Sequence, residues 1–236
     1  PGKVFMKLGG QKTIDHILTR LKATGLPIVL AVPPDEVEAY KPYAAAYGAR
    51  IWRGQPDSPL HRTAEAIENL YPDATHFVRV THDDPLIDPS TVTELVVKAE
   101  QDNAGYAYSP GILEGAGVEV ISTENLAAAA KKHEKTEYLS YFVKGEGLPN
   151  PTILALPPRP GIARPYRLTL DYSEDALVLN IIFREIGVNA TADQVAEYLD
   201  QNGHVLNFNR LPEVTVYTCV YNAAPYIEQA MRSVLS

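Results

Sequence analysis

The stretch of residues 75–89 constrains the fold of this chain more than any other part of the sequence. It contains a short, mostly apolar run of β-formers at 77–80, which predicts a buried strand of an α/β sheet. Asp83 and Asp84 come soon after this run, and Pro85 follows them directly. Because proline has no backbone N–H to give to a sheet, the strand is expected to end before it, in an acidic loop.

Adjacent carboxylates at the C-terminal end of a buried strand are costly to desolvate unless a cation lies near them. In open α/β sheets, ligands bind at this same edge. Asp83 is therefore a candidate ligand of a divalent metal, because carboxylate oxygens suit Mg²⁺. The alternative is that Asp83 and Asp84 only cap the turn after the strand, as aspartate often does.

The segments before this stretch alternate between helix and strand patterns. Apolar residues at helical spacing from Ile14 to Leu21 predict a helix, and the continuous apolar run at 28–32 predicts a strand. The pattern continues as helix, strand and helix at 36–47, 50–52 and 60–70. This rhythm predicts an α/β fold with a Rossmann-like, mostly parallel sheet and helices on both faces.

The segments after the acidic loop extend this pattern and place two acidic residues in strands. A strand is predicted at 115–121 with Glu119 inside it, and a charged residue in an apolar strand is either paired or directed into a site. Another strand, at 167–171, ends in Asp171. Helices are predicted at 90–100, 127–132, 136–143, 174–186 and 191–202.

The composition excludes several classes of protein. A net charge of −8 argues against a general nucleic-acid-binding protein, because such proteins present a basic surface. The single cysteine, Cys219, excludes a disulfide framework and a cysteine-ligated zinc site. No apolar run reaches the ~18 residues of a membrane span, and no signal peptide is recognisable, so we expect a cytoplasmic location.

The two ends of the sequence suggest a piece of a longer polypeptide. The chain starts with Pro-Gly-Lys and stops within an amphipathic pattern. Residues 214–222 predict a new strand and 223–235 a new helix, after an α/β pattern that is already complete. We therefore expect one domain over 1–210 and the beginning of a second α/β domain over 211–236.

Three motifs that occur in order carry a resemblance to a known family. Pro-Gly-Lys at 1–3 precedes a Gly-Gly turn and a helix that contains Arg20; Arg-Val-Thr-His-Asp-Asp-Pro-Leu-Ile-Asp-Pro begins at Arg79; and Leu-Asp-Tyr-Ser-Glu-Asp ends at Asp175. Over about 1–210 the chain resembles the SpsF-like sugar nucleotidyltransferases of the spore-coat polysaccharide type. These are relatives of the cytidylyltransferases that load 3-deoxy-manno-octulosonate and sialic acid onto CMP.

The resemblance implies an enzyme that activates a sugar or sugar acid with a nucleoside triphosphate, CTP being favoured, and releases pyrophosphate in glycan biosynthesis. It implies catalytic roles for Lys3, as a phosphate contact, and for Asp83 and Asp171, as the pair that holds Mg²⁺. It further implies a nucleotide site formed by Lys3, Arg62 and Arg79. Glu119 and Glu137 would form the acceptor site. Relatives of this kind often pair as homodimers.

The sequence departs from the family pattern in three places. The strand and the Gly/Ala-rich stretch that precede Pro-Gly-Lys in the family are absent, so the first strand of the sheet is expected to be missing. His82 stands where the pattern usually has Gly, and Tyr138 replaces a common His, and both changes are expected to narrow the site or shift the acceptor. Residues 216–235 resemble the opening of an inverting-type family 2 glycosyltransferase, which suggests a parent protein that both activates and transfers sugars.

Each candidate residue also has a structural interpretation. Lys3 can be a solvated lysine, Asp171 can cap the next helix, and Glu119 can pair with a nearby arginine. His82 can be an ordinary loop histidine or a base with a pKa near neutrality. Arg62 and Arg79 can be ion-pair partners of acidic residues, namely Asp57 or Asp83.

Three functions are compatible with these observations. The first is the Mg²⁺-dependent nucleotidyltransferase. The second is a catalytically inactive nucleotide- or sugar-binding module attached to a glycosyltransferase. The third, a dinucleotide-binding oxidoreductase, is disfavoured because no Gly-x-Gly-x-x-Gly motif follows a strand.

Overall fold

The computed structural model of the chain describes residues 2–210 and 224–235. The helices are α1 Thr13–Ala23, α2 Val37–Tyr47, α3 Pro59–Leu70, α4 Pro89–Gln101, α5 Thr123–Lys132, α6 Leu139–Phe142, α7 Ser173–Ile186, α8 Ala192–Gln201 and α9 Ala224–Leu235. The strands are β1 Lys7–Leu8, β2 Gln11–Lys12, β3 Val29–Val32, β4 Arg50–Arg53, β5 His76–Arg79, β6 Tyr106–Tyr108, β7 Glu119–Ser122 and β8 Ile153–Ala155. Short 3₁₀ helices lie at Lys3–Phe5, Pro160–Ile162 and Gly203–Phe208.

Two predictions concern the C-terminal part of the chain. The strand predicted at 214–222 lies outside the described residues, whereas α9 forms within the stretch predicted to be helical.

Among the helices that the structure describes, none is long and apolar enough to cross a bilayer.

The strands form a mixed sheet system. Strands β3 and β4 pair in parallel, with Val29 opposite Arg50, and β5, β7, β6 and β8 form a four-stranded sheet in that order. Strand β7 runs antiparallel to both β5 and β6, whereas β6 and β8 are parallel. The connection 109–118 between β6 and β7 contains no helix, so the chain returns beside β6 in the opposite direction. The predicted α/β class is therefore confirmed, and the sheet is mixed rather than mostly parallel.

Helices cover both faces of the four-stranded sheet, as predicted. The two faces are distinguished by Val120 and Ile121 of β7, because successive side chains of a strand point in opposite directions. Val120 packs in a cluster with Val92 and Leu95 of α4, whereas Ile121 packs with residues of α3, α5 and α6, including Leu126.

The β3–β4 pair and the four-stranded sheet lie side by side without a shared ladder. Helix α1 packs on both: Ile17 joins the cluster that includes Val78 of β5, and Leu18 joins the one that includes Leu30 of β3. Helix α3 also reaches both, because it packs near Phe77 of β5 and donates a hydrogen bond to the Ala31 carbonyl of β3. No hydrogen bond joins β3 to β5 among the described residues.

The strand predicted at 167–171 does not form a ladder. Its N-terminal part makes one isolated bridge, in which the N–H of Leu168 donates to the carbonyl of Glu114 at 2.9 Å. Its next pairing is with the acidic loop, because the N–H of Leu170 donates to the carbonyl of Asp83 at 2.8 Å. The segment stays extended but changes partner after one bridge, so it never becomes a regular strand.

Candidate active site

The acidic loop after β5 and the acidic segment before α7 lie next to each other. The Leu170–Asp83 hydrogen bond joins their backbones, and Asp171 is the next residue along the chain. The two aspartates that the sequence predicts as a metal pair are therefore brought to the same edge of the sheet, beyond the C-terminal end of β5.

The carboxylate of Asp171 is held by three side chains. Lys3 Nζ donates to Oδ1 at 3.1 Å, and Arg167 Nη2 and Thr169 Oγ1 donate to Oδ2 at 2.8 and 3.0 Å. Burial alone would raise the pKa of Asp171, but these hydrogen bonds and the charges of Lys3 and Arg167 lower it below its ordinary value. Lys3 and Asp171 are thus brought together as a cation–carboxylate pair, and about two fifths of each side chain stays exposed.

Arg167 holds the carboxylates around the start of α7 in place, and it was not among the site residues predicted from the sequence. Its guanidinium forms ion pairs with Asp171 and with Asp175, whose side chain is 1% exposed. It also lies over the Tyr172 ring, 5.5 Å from the ring centroid. The available signal was an arginine placed four residues before one aspartate and eight before another, and it becomes informative only when the chain turns into α7 between them.

The acidic loop contains a free carboxylate beside a buried one. Asp83 has no hydrogen bond or ion pair to its carboxylate from any described residue. Asp84 accepts a hydrogen bond from Thr81 Oγ1 at 2.5 Å. Burial raises the pKa of Asp84 to about 6, and the nearby charges of Asp83 and Asp171 add to this rise. Negative charge is therefore crowded at this edge.

The carboxylate of Glu119 is paired, at the same end of the sheet. Glu119 lies opposite Arg79 across the β5–β7 ladder, and Arg79 Nη1 donates to it at 2.8 Å. Ser140 Oγ donates to the same carboxylate at 2.6 Å, and the hydroxyl of Tyr106 donates to its other oxygen. Burial alone would raise the pKa of Glu119, but these hydrogen bonds and the charge of Arg79 lower it. The ion-pair partner of Arg79 is thus Glu119, and neither Asp57 nor Asp83.

Arg62 donates to backbone carbonyls of β3 and of the loop after β4. Its Nε donates to the carbonyl of Ala31 at 3.1 Å, and its Nη1 donates to those of Gln55 and Pro56. Arg62 therefore fixes the 54–56 loop against the end of β3, and Asp57 pairs with Lys135 instead, at 3.8 Å. Two further residues singled out in the sequence, Glu137 and His82, are exposed.

Comparisons of sequence show relatives over different lengths. The chain is 26% identical to an uncharacterized protein of Methanocaldococcus jannaschii over 215 residues, which cover 88% of the chain and 87% of that protein. It is 32% identical to the 3-deoxy-manno-octulosonate cytidylyltransferase of an Anaeromyxobacter species over 96 residues, 41% of the chain and 39% of that enzyme. The matched part thus spans less than half of the cytidylyltransferase.

Comparisons of structure confirm the fold. A cytidylyltransferase from Leptospira borgpetersenii superimposes with a TM-score of 0.71, at 18% identity, over 92% of the chain and 93% of the bacterial enzyme. A 4-diphosphocytidyl-2C-methyl-D-erythritol synthase from Anaerococcus prevotii superimposes with a TM-score of 0.57, at 10% identity, over 77% of the chain and 93% of the synthase.

The family is given by a match to a family model. The model of the MobA-like NTP transferase domain matches residues 2–147, a span that contains Lys3, Asp83 and the Arg79–Glu119 pair. The chain belongs to the family of MobA-like NTP transferase domains.

Proposed function

We propose that this domain transfers a nucleotidyl group from a nucleoside triphosphate, with CTP favoured, to a sugar or sugar acid, in polysaccharide or cell-surface glycan biosynthesis. The observation that carries the proposal is the backbone hydrogen bond between Leu170 and Asp83, which sets the Lys3–Asp171 pair beside the free carboxylate of Asp83.

The residues present fit a divalent cation. Asp83 offers a carboxylate without a partner among the described residues, and the raised pKa of Asp84 reflects crowded negative charge in addition to burial. The described residues contain no group of three or more His, Cys, Asp or Glu side chains placed to hold a metal ion. The proposed site therefore has two carboxylates, and Mg²⁺ bound there would need water and substrate phosphates to complete its shell. A structural neighbour, Rv0371c from Mycobacterium tuberculosis, was solved as a manganese complex, at 15% identity and a TM-score of 0.56.

The reaction needs positioning and charge neutralisation rather than covalent help from the protein. An acceptor oxygen attacks the α-phosphorus, the bond from that phosphorus to the bridging oxygen breaks, and pyrophosphate leaves with the electron pair. A bound Mg²⁺ supplies neutralisation of the phosphate charge. Lys3, which remains partly exposed beside Asp171, would contact the phosphates, and Asp83 and Asp171 would hold the metal.

Nucleotide and acceptor contacts are assigned to the same end of the sheet. We assign Arg62 and Arg79 to the nucleotide, and Glu119 and Glu137 to the acceptor. The hydrogen bonds of Arg79 and Glu119 to each other would keep both side chains in fixed positions for this role. The preference for CTP and for a sugar acid is supported by the relatives at 32% identity, which are 3-deoxy-manno-octulosonate cytidylyltransferases.

We also propose that the full-length protein places a further strand between β3 and β5. The support is that α1 and α3 each pack on both sheets although no ladder joins β3 to β5 among the described residues. A strand in this position would unite the two sheets and extend the site edge between Arg62 and Asp83. We retain the proposals of a second domain from 211 onward, a cytoplasmic location and a homodimer.

A second function, a catalytically inactive binding module attached to a glycosyltransferase, is favoured only by the missing ladder between β3 and β5. One assay separates the two functions. Pyrophosphate release would be measured from CTP, UTP, ATP and GTP with Mg²⁺ and a pool of sugars and sugar acids, using the full-length protein. Asp83→Asn and Asp171→Asn are the test variants, and Asp73→Asn, which changes an exposed carboxylate before β5, is the matched control.

Release with one nucleotide, lost in both test variants and kept in the control, would support the transferase. Silence of the intact protein across a broad pool of acceptors would favour the binding module. Release that neither test variant changes would contradict the assignment of the site.

A further inference from the structure

A cavity with several polar side chains in its wall lies outside the candidate active site. It has a volume of about 350 Å³ and lies among α1, the start of α4, the α7–α8 connection and the start of α8. This volume is at the low end of the ~300–1,000 Å³ usual for small-molecule sites. Neither Lys3, Asp83 nor Asp171 lines it.

The wall of this cavity contains a buried arginine that forms no ion pair with a described carboxylate, although the charge of Asp88 acts on it. Arg20 of α1 is 8% exposed, and the structure gives its guanidinium one hydrogen bond to a described residue, from Nη2 to the carbonyl of Ala190 at 2.7 Å. No described carboxylate lies within ion-pair distance of Arg20. Because a guanidinium has five N–H donors and is costly to bury unpaired, four of these donors are left for water or a ligand.

A second side chain in the wall is also unsatisfied. His16 is 2% exposed, its Nε2 bonds the carbonyl of Leu8 at 2.8 Å, and its Nδ1 has no partner among the described residues. Burial lowers the pKa of His16, and the charge of Arg20 adds to this, so the ring is neutral near pH 7. Because Nε2–H donates to the Leu8 carbonyl, the neutral ring has an acceptor at Nδ1 and no donor for an anion, so His16 is a spectroscopic reporter inside the cavity and not a contact to the ligand.

The charged side chains in and next to the cavity wall are two arginines, Arg20 and Arg159, and two aspartates, Asp88 and Asp193. Asp88 is 3% exposed and already accepts hydrogen bonds from Thr91 and Arg159. Asp193, at the rim, is about half exposed and also pairs with Arg159, so solvent screens it. Both aspartates are thus engaged by Arg159, and Arg20 is the arginine of the cavity wall that keeps N–H donors for a ligand.

Two further features favour an anion. Helices α4 and α8 begin at the cavity, and helix N-termini carry partial positive charge. The rim presents neutral polar side chains that make no side-chain hydrogen bond to the described part of the chain, namely Gln11, Ser90 and Asn189.

We propose that this cavity binds the carboxylate or phosphate group of a small metabolite, with Arg20 as its charged contact and the neutral polar rim around it. The site does not depend on the proposed function, because none of its residues takes part in nucleotidyl transfer.

The test is a titration of the full-length protein with sodium phosphate and, separately, sodium acetate, at an ionic strength kept constant with chloride. The readout is the ¹H–¹⁵N correlation spectrum of the His16 ring. We expect saturable shifts with at least one of the two anions, and the anion that saturates identifies the phosphate or the carboxylate as the group recognised.

Two variants locate the binding. Arg20→Met keeps the length of the side chain and removes its charge, and affinity should fall at least about tenfold, the loss expected for a charge-assisted hydrogen bond. Ser90→Asp adds a carboxylate at the rim, in the first turn of α4 where an acid favours the helix, so it should fold even if Arg20→Met does not. It should weaken binding several-fold.

Lys3→Ala is the control for phosphate bound at the candidate active site, and it should leave the His16 shifts unchanged. The proposal is overturned if neither anion gives a saturable shift beyond chloride, or if Ser90→Asp leaves the affinity unchanged. It is also overturned if Lys3→Ala abolishes the shifts.

Discussion

The two acidic segments that meet at the sheet edge differ in how their aspartates are held. Asp171 accepts hydrogen bonds from Lys3, Arg167 and Thr169, whereas the carboxylate of Asp83 has no described partner. One carboxylate is fixed before any ligand arrives, and the other is available. We infer that Asp171 both sets the position of Lys3 and serves as a preorganised metal ligand, whereas Asp83 offers the open ligand position.

The largest effect expected from this comparison is that of metal removal. Chelation of divalent cations should reduce pyrophosphate release by at least about a hundredfold, because phosphoryl-transfer sites rely on charge neutralisation by the metal. Added Mg²⁺ should restore the rate. Release that persists in excess chelator would mean that Asp83 and Asp171 do not act through a metal.

Arg167→Met should give the next largest effect, on stability. Asp175 is buried and would lose its cationic partner, and breaking such a pair costs about 3 kcal/mol. Urea denaturation measures this loss. Arg164→Met, which breaks the solvent-exposed pair with Asp200, is the matched control and should cost clearly less. Equal losses in the two variants would contradict the role of Arg167 as the cation that stabilises the buried Asp175.

Arg79→Met tests whether Arg79 lowers the pKa of its ion-pair partner, Glu119. The lowered pKa of Glu119 depends partly on Arg79, so the pKa should rise in the variant, and ¹³C-detected titration of the Glu119 carboxyl measures it. A depressed pKa contributes stability that is present above the ordinary glutamate value and lost as the pH falls through the folded-state value. The variant should therefore lose stability at a higher pH than the parent. An unchanged titration would mean that Ser140 and Tyr106 suffice to hold the carboxylate.

Asp84→Asn should have the smallest effect, which sharpens the contrast with its neighbour. Its carboxyl is buried, its pKa is raised to about 6, and an amide oxygen can still accept the hydrogen bond from Thr81. Pyrophosphate release at pH 7.5 should fall less than about tenfold, whereas Asp83→Asn should reduce it at least about a hundredfold. The reverse order would assign the open ligand position to Asp84.

The sequence allowed the meeting of Asp83 and Asp171 to be predicted. The resemblance implied the pair, and each aspartate was predicted at or just after the end of a strand. The strand predicted at 167–171 does not form, and the Leu170–Asp83 backbone hydrogen bond joins the two segments instead. The helices before and after these segments also follow from apolar periodicity. Each of these patterns alone is a weak predictor, but their order along the chain is informative.

Other features depend on contacts that no local pattern encodes. The antiparallel direction of β7 is set by a helix-free connection, and β8 forms inside the Pro- and Gly-rich segment 145–165, for which no strand was predicted. The role of Arg167 requires the chain to turn between Asp171 and Asp175. The sequence left open whether Glu119 pairs with a nearby arginine, and it offered Asp57 or Asp83 as partners of Arg79; the strand register sets Arg79 opposite Glu119 instead.

The most direct test of the account is whether Asp83 and Asp171 bind one metal ion together. Electron paramagnetic resonance of Mn²⁺, titrated into the full-length protein with a CTP analogue that resists cleavage between the α- and β-phosphates, counts the sites and measures their affinity. The account predicts one tight site that both Asp83→Asn and Asp171→Asn weaken strongly and Asp73→Asn leaves intact. A site of unchanged affinity in either test variant would contradict it.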